Sequence, residues 1–300
     1  MYKVPEKYYF RIHHVRPRFK NNIENVLIFV AEEIQILGEQ SCTDFKENLN
    51  TAIRRFPGNF NVVEKTINNW RTEISSLFGF YIENKDVNIT KASQRAIDLA
   101  ENQDLVQFFK IFLYYFQYPG GHIKSHEIQK YIENGIKFKP ACKILDLLAK
   151  SKEISGNNIG ISKAEATHLL FNDLRVTTDF ESIEVTAKRF LYNKECKTEY
   201  DWTGDVIRYA GDILDYMGIA NLLKSYNGQF YLNNLEKNTI DFFINNQEWF
   251  TNYDQMISTQ TANLSDIKDA QVPWFEFVNQ IVDENFFMTD ILALISEDEE

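Results

Sequence analysis

The stretch NVVEKTINNWRTEISSLFGFYIENKDVNIT, residues 61–90, decides how the first part of this chain folds. Val63, Ile67, Trp70, Ile74 and Leu77 recur at spacings of 4, 3, 4 and 3. At 100° per residue this gathers all five into one stripe and predicts a helix over 61–78. Its opposite side carries Lys65, Asn68, Asn69, Thr72 and Ser76. Phe80 and Ile82 then precede Asn84-Lys85-Asp86, and Val87 and Ile89 follow it, the pattern of a short β-hairpin. Upstream, NNIENVLIFVAEEIQILG (21–38) reads as an amphipathic helix stopped by Gly38, and a second helix starts at Thr43-Asp44 and ends near Phe56-Pro57-Gly58. Three helices followed by a hairpin predict a winged helix, a helix-turn-helix with a β wing.

Residues 92–118 continue as two helices, the second containing QFFKIFLYYFQY (107–118), and Pro119-Gly120-Gly121 breaks the chain. The theme then repeats. Helices are predicted near 124–134, 140–151, 162–172 and 180–193. The polar segment NKECKTEYDWTGD (193–205) leads into a helix over 203–218, and ANLLKSYNGQFYLN (220–233) reads as strand, Asn227-Gly228 turn, strand. The expected fold is mainly α with short β-hairpins: two winged-helix subdomains joined by helices. Its expected divisions are an arm at 1–20, a first unit at 21–121, a second at 122–233 and a helical acidic segment at 234–300, ending in a solvated SEDEE.

Charge is distributed unevenly over these parts. Residues 233–300 hold 14 Asp or Glu against 2 Lys or Arg, so the whole-chain net charge of −11 leaves residues 1–232 at +1. Within the first twenty residues, Lys3, Lys7, Arg11, Arg16, Arg18 and Lys20 face a single Glu6. A basic arm of this kind binds anions that the average composition repels. The interleaved aromatics Tyr8, Tyr9, Phe10 and Phe19 predict that the arm is anchored on the body, the alternative being a disordered basic terminus.

Three hundred residues with 44% apolar content can bury substantial cores. No stretch approaches the ~20 apolar residues of a membrane span and the start lacks a signal-peptide core, so a cytoplasmic protein is expected. Cys42, Cys142 and Cys196 are widely separated and read as free buried thiols.

The residue types favour nucleic-acid binding over catalysis. Duplex DNA demands cations for phosphates and donors and acceptors for base edges, and asparagine pairs bidentately with adenine in the major groove. The 61–78 helix offers such a face, with Arg71 at its flank within reach of a phosphate or guanine; an ordinary solvated helix face has the same pattern. In the second unit Arg208 projects opposite the Val206, Ala210, Ile213 and Met217 stripe, beside Asp212 and Asp215. Those carboxylates repel phosphates, although aspartate accepts from cytosine N4, so a solvated or partner-facing helix is the alternative there. His122 and His126 are four apart, but Gly120-Gly121 makes His122 a poor helix residue and no further ligand is nearby, so no metal is assigned. His168 is expected to be a core or surface residue. No carboxylate cluster with the E-x-K lysine of a Mg²⁺-dependent nuclease is evident, and no catalytic residue is assigned.

The blocks EKTINNWRTEISSLFGFYIE (64–83), QFFKIFLYYFQYPGG (107–121) and DILDYMGIANLLKSYNGQFYLN (212–233) resemble, in order and spacing, the amino-terminal DNA-recognition region of the BpuJI restriction endonuclease family, over most of residues 8–245. More distantly the order resembles the recognition parts of AlwI-like restriction and nicking endonucleases. The resemblance implies two winged-helix units that bind an asymmetric double-stranded DNA sequence, with cleavage by a separate carboxyl-terminal PD-(D/E)XK nuclease domain or subunit. It implies no cofactor for this chain, Mg²⁺ being expected only for that nuclease. Matching positions point to Arg11, Arg16, Arg18 and Lys20 of the arm, and to Lys65, Thr66, Asn69, Arg71 and Thr72, beside which Asn68 is a candidate from the helix face. Thr203 and Arg208 are implied in the second unit. Because the chain stops at Glu300, where such a nuclease domain would begin, the expectation is a non-catalytic recognition module. The rival expectation is a winged-helix protein-interaction or transcription-regulator-like scaffold.

Overall fold

The computed structural model describes residues 1–12 and 23–280. Arg16, Arg18, Lys20, Phe19 and the acidic end lie outside these residues. The chain is mainly helical with small antiparallel sheets.

Helix α1 (Ile23–Leu37) buries Val26, Leu27, Val30, Ala31 and Ile34, one face of its 3.6-residue repeat. Gly38, at φ +62°, turns the chain into β1 (Glu39–Ser41). Ser41 caps α2 (Cys42–Arg55), its hydroxyl accepting from the Asp44 amide. Helix α3 (Glu64–Asn69) follows and widens into a π-helix over Trp70–Ser76. Strands β2 (Tyr81–Asn84) and β3 (Ile89–Ala92) form the hairpin, and β1 pairs with β3 to give a three-stranded sheet in the order β1-β3-β2.

Two details differ from the sequence expectation. Val63 lies before the helix as its N-cap and is 69% exposed, whereas Ile67, Ile74 and Leu77 are buried and Trp70 is half-buried against Phe56. The stripe therefore starts one turn later than periodicity alone suggests. Val87 belongs to the hairpin turn, 60% exposed, because the connection runs from Lys85 to Asn88 with Asn88 at φ +54°.

Helices α4 (Gln94–Asn102) and α5 (Leu105–Tyr115) come next, then α6 (Ser125–Glu133), α7 (Pro140–Ser155) and α8 (Lys163–Ala166), which also widens into a π-helix at Thr167–Phe171. Helices α9 (Leu174–Thr177) and α10 (Ile183–Glu195) precede α11 (Gly204–Ile219) and the hairpin of β4 (Leu223–Tyr226) and β5 (Gln229–Leu232). Ile161 bridges Phe230 of β5 antiparallel, and Ser162 immediately caps α8 in a capping box with Glu165. Each half thus has a serine-capped helix and a later hairpin whose last strand pairs back to the residues before that cap, through the ladder of β1 in the first half and the single bridge of Ile161 in the second, where α9, α10 and α11 intervene.

The halves share one core. Phe78 packs with Phe109 at 6.0 Å, Phe112 at 4.8 Å and Tyr216 of α11 at 5.8 Å. Buried Lys110 of α5 pairs with Glu236 at 2.7 Å, and Thr239 donates to the same carboxylate at 2.9 Å. The chain then continues through α12 (Lys237–Asn245), α13 (Asp254–Thr259), α14 (Leu264–Asp269) and α15 (Gln271–Val278). Trp274 of α15 lies on Gly120 and Gly121, where a Cβ would meet the indole at 2.8 Å and 2.6 Å, so the glycine pair is a landing site for that ring.

Candidate nucleic-acid interface

The arm is held by the second half of the chain. Ile12 and Val4 are buried, the Tyr2 amide donates to the Glu199 carbonyl at 2.7 Å, and the Phe10 amide donates to that of Asn172 at 3.2 Å. Phe10 meets Tyr131 edge to face at 5.8 Å, and Arg175 lies over Tyr8 at 5.1 Å. Beneath this seam the Asp173 carboxylate is fully buried and takes both Arg175 and Arg189. Tyr8 and Phe10 are half-buried while Tyr9 remains 50% exposed, so aromatic packing fixes residues 1–12 and leaves Lys3 and Lys7 in solvent.

This path brings Arg11 to α11. Its guanidinium donates to the Asp205 carbonyl and lies 5.8 Å from the Tyr209 ring. Arg208 is on the other flank, 6.0 Å from the same ring and 3.4 Å from the Asp205 carboxylate. Thr203 is the exposed N-cap of α11; its hydroxyl and amide both donate to the Asp201 carboxylate, at 2.6 Å and 2.8 Å, which pulls the Asp201 pKa below the usual range. Arg11, Thr203 and Arg208 therefore form one group. Asp215, which sequence reasoning set against phosphate binding, is paired with Lys163 at 2.6 Å, so its charge is partly met within the protein.

A second group lies on α3 and the π-helix that continues it. Lys65 and Thr72 are exposed; Thr66, Asn68, Asn69 and Arg71 are half-buried. The Thr72 hydroxyl donates back to the Asn68 carbonyl at 2.8 Å. Arg71 is turned toward α2, donating to Asn50 at 2.7 Å, and Glu64 holds Arg54. Among the described residues the side-chain amides of Asn68 and Asn69 have no protein hydrogen-bond partner, so they remain available to an external one. No hydrogen bond or ion pair among the described residues joins this group to the Arg11 group.

The other chemical candidates resolve as packing. His122 is buried among Phe116, Tyr118 and Trp274 and His126 is exposed beside Glu127, so the two imidazoles do not share a face. His168 is buried, stacked on Tyr200, with Nε2 3.2 Å from the Asp201 carbonyl. Among the described residues no three His, Cys, Asp or Glu gather as metal ligands, and no helix is long and apolar enough to cross a membrane. The expectation of buried cysteines holds for Cys142 alone: Cys42 is half-buried and Cys196 exposed, because it caps the end of α10 beyond the packed face. Burial pushes the Cys142 thiol up to about 11.

Sequence reasoning missed β1, the Ile161 bridge and Trp202, an indole 53% exposed next to Thr203. The signal for Trp202 was present in its polar flanks, which mark a surface position.

The chain is similar in fold, at TM-score 0.78 and 21% identity, to the protein in the structure described as "Crystal structure of pyrene- and phenanthrene-modified DNA in complex with the BpuJ1 endonuclease binding domain"; the match covers 91% of this chain and 98% of that one. No curated protein matches it significantly. Residues 2–275 match the family described as restriction endonuclease BpuJI, N terminal, and the chain belongs to that family.

Proposed function

We propose that this chain is a sequence-specific double-stranded DNA-binding module, the target-recognition domain of a type II restriction endonuclease of the IIS kind, with cleavage supplied by a PD-(D/E)XK domain or subunit. The observation that carries this is membership of the BpuJI amino-terminal family over residues 2–275, and the DNA complex formed by the protein of similar fold supports it.

The finer assignment follows from chain order. Residues 21–121 and 122–233 are read as two winged-helix units: the first has β1, the serine-capped α2, α3 and a hairpin, and the second has the bridge residue Ile161, the serine-capped α8, then after α9 and α10 the helix α11 and a hairpin. In a helix-turn-helix the second helix enters the major groove and its N-terminal residues meet base edges. On this reading Asn68, Asn69 and Lys65 face bases from α3, while Thr66, Arg71 and Thr72 fix its register. Arg11, Arg16, Arg18 and Lys20 neutralise phosphates along the arm. Arg208 and Thr203 extend the footprint from α11. Two dissimilar units in one chain suit an asymmetric site, since no two-fold axis relates their side chains.

The test is binding of labelled duplexes by the purified chain at physiological salt. Affinity for one sequence at least ~10³-fold above random duplex supports the proposal. Absence of specific binding together with a stable oligomer supports the protein-interaction scaffold instead.

A further inference from the structure

Of the four tryptophans, Trp274 is buried and Trp70 and Trp249 are half-buried, but Trp202 is 53% exposed. A single exposed apolar side chain is ordinary on a protein surface. Its surroundings set Trp202 apart. On one side the Tyr200 ring is 7% exposed, packed against Tyr2 and His168 at 5.4 Å and 6.0 Å. The Asp201 carbonyl meets His168, and the Asp201 carboxylate takes the amide and hydroxyl of Thr203. On the other side the Asp205 carbonyl takes the arm's Arg11, with Arg208 close by. The backbone is thus tied down on both flanks of Trp202, whose indole is exposed, and three residues on, Asp205 holds Arg11 and Arg208.

We propose that Trp202 is a specificity-determining residue that packs its indole on a thymine 5-methyl group in the major groove. The inference rests on the DNA-recognition reading above and deepens it for the second unit. Within the major groove each base edge presents donors or acceptors, and the thymine methyl is the apolar group among them. A large apolar side chain at the start of the groove-entering helix has that methyl as its matching partner. Arg11 and Arg208, both held at Asp205 in the first turn of the same helix, supply cations for phosphates while the indole excludes water from the methyl. The first unit has a parallel in Val63, 69% exposed at the N-cap of α3, which makes an apolar contact at the helix start a shared feature of both units.

The experiment measures binding of the full chain to its selected duplex and to random duplex, for the unaltered protein, Trp202→Ala and Trp202→Gln. Each dT of the target is replaced in turn by dU, which removes the methyl alone. Expected is a loss on the order of tenfold on the target for both variants, with random-duplex binding changed by less than about twofold. One dU position weakens the unaltered protein by roughly fivefold and leaves both variants unaffected. Thermal unfolding of the two variants matching that of the unaltered chain shows that the fold is intact. Target affinity unchanged in both variants, equal loss on target and random duplex, or a dU profile identical in all three proteins overturns the proposal. If the unaltered chain prefers no duplex at all, the recognition reading itself fails, which distinguishes the two failures.

Discussion

Arg11 donates its guanidinium to the backbone carbonyl of Asp205, 194 residues away, and so ties the basic arm to the first turn of α11. A carbonyl acceptor leaves the arginine's positive charge uncancelled, unlike a carboxylate partner. The contact therefore positions a cation without neutralising it, which is the electrostatic requirement for a phosphate-binding arm.

On the proposed reading, the continuation of that arm governs general affinity. Arg16→Ala with Arg18→Ala is expected to weaken binding to target and random duplex alike and to reduce the slope of log K against log salt by about 2. A salt titration of both duplexes checks this. An unchanged slope removes these two residues from the interface.

Asn69→Ala is expected to act differently. Loss of a bidentate base contact costs about 1–3 kcal/mol on the target and relaxes preference at one base pair, while the salt slope stays the same. Binding to a set of singly substituted duplexes shows whether one column of the preference flattens.

The Lys110–Glu236 pair, buried at both ends, joins α5 to the residues after the second hairpin. Removing one partner strands the other's charge, so Lys110→Met should lower unfolding stability by about 3–5 kcal/mol, whereas Lys110→Met with Glu236→Leu should cost less than the single change. Urea denaturation of the single and double variants decides it.

Buried Lys139, whose ammonium donates to the Tyr114 carbonyl, has its pKa lowered to about 8 by desolvation. The unfolded chain holds this proton up to about 10.5, so between about 8 and 10.5 it binds more protons than the folded one, and this residue makes stability rise with pH. Above about 9 to 10 the buried Cys142 and Tyr118, both raised by desolvation, act in the opposite sense because they ionise first in the unfolded chain. Denaturation from pH 7 to 9.5 should therefore show the stability gap, unaltered chain minus Lys139→Met, moving in favour of the unaltered chain as pH rises. A constant gap contradicts the buried, lowered lysine.

Helical content was legible because Ile67 on α3, Ile74 and Leu77 in and just after the π-helix that continues it, and the buried positions of α1 recur at spacings close to the helical repeat. The hairpins were legible from Asn227-Gly228 and from the polar Asn84-Lys85-Asp86 turn. β1 was not, since Glu39-Gln40-Ser41 shows no apolar alternation and becomes a strand through pairing with Lys91, Thr90 and Ile89 of β3. Ile161 is likewise set by its long-range bridge to Phe230. Among the site residues, charge and polarity marked Lys65, Asn68, Asn69 and Thr72 as outward-facing, and Lys65 and Thr72 are exposed. The bond from Arg71 to Asn50, the ion pair between Asp215 and Lys163, and the docking of Arg11 on α11 depend on tertiary neighbours that no local pattern encodes.

Selection of duplexes from a random pool by the purified chain, followed by affinity measurement of the enriched sequence at physiological salt, tests the central claim most directly. A single asymmetric sequence bound at least ~10³-fold tighter than random duplex is the predicted result. A pool that stays random after repeated rounds contradicts it.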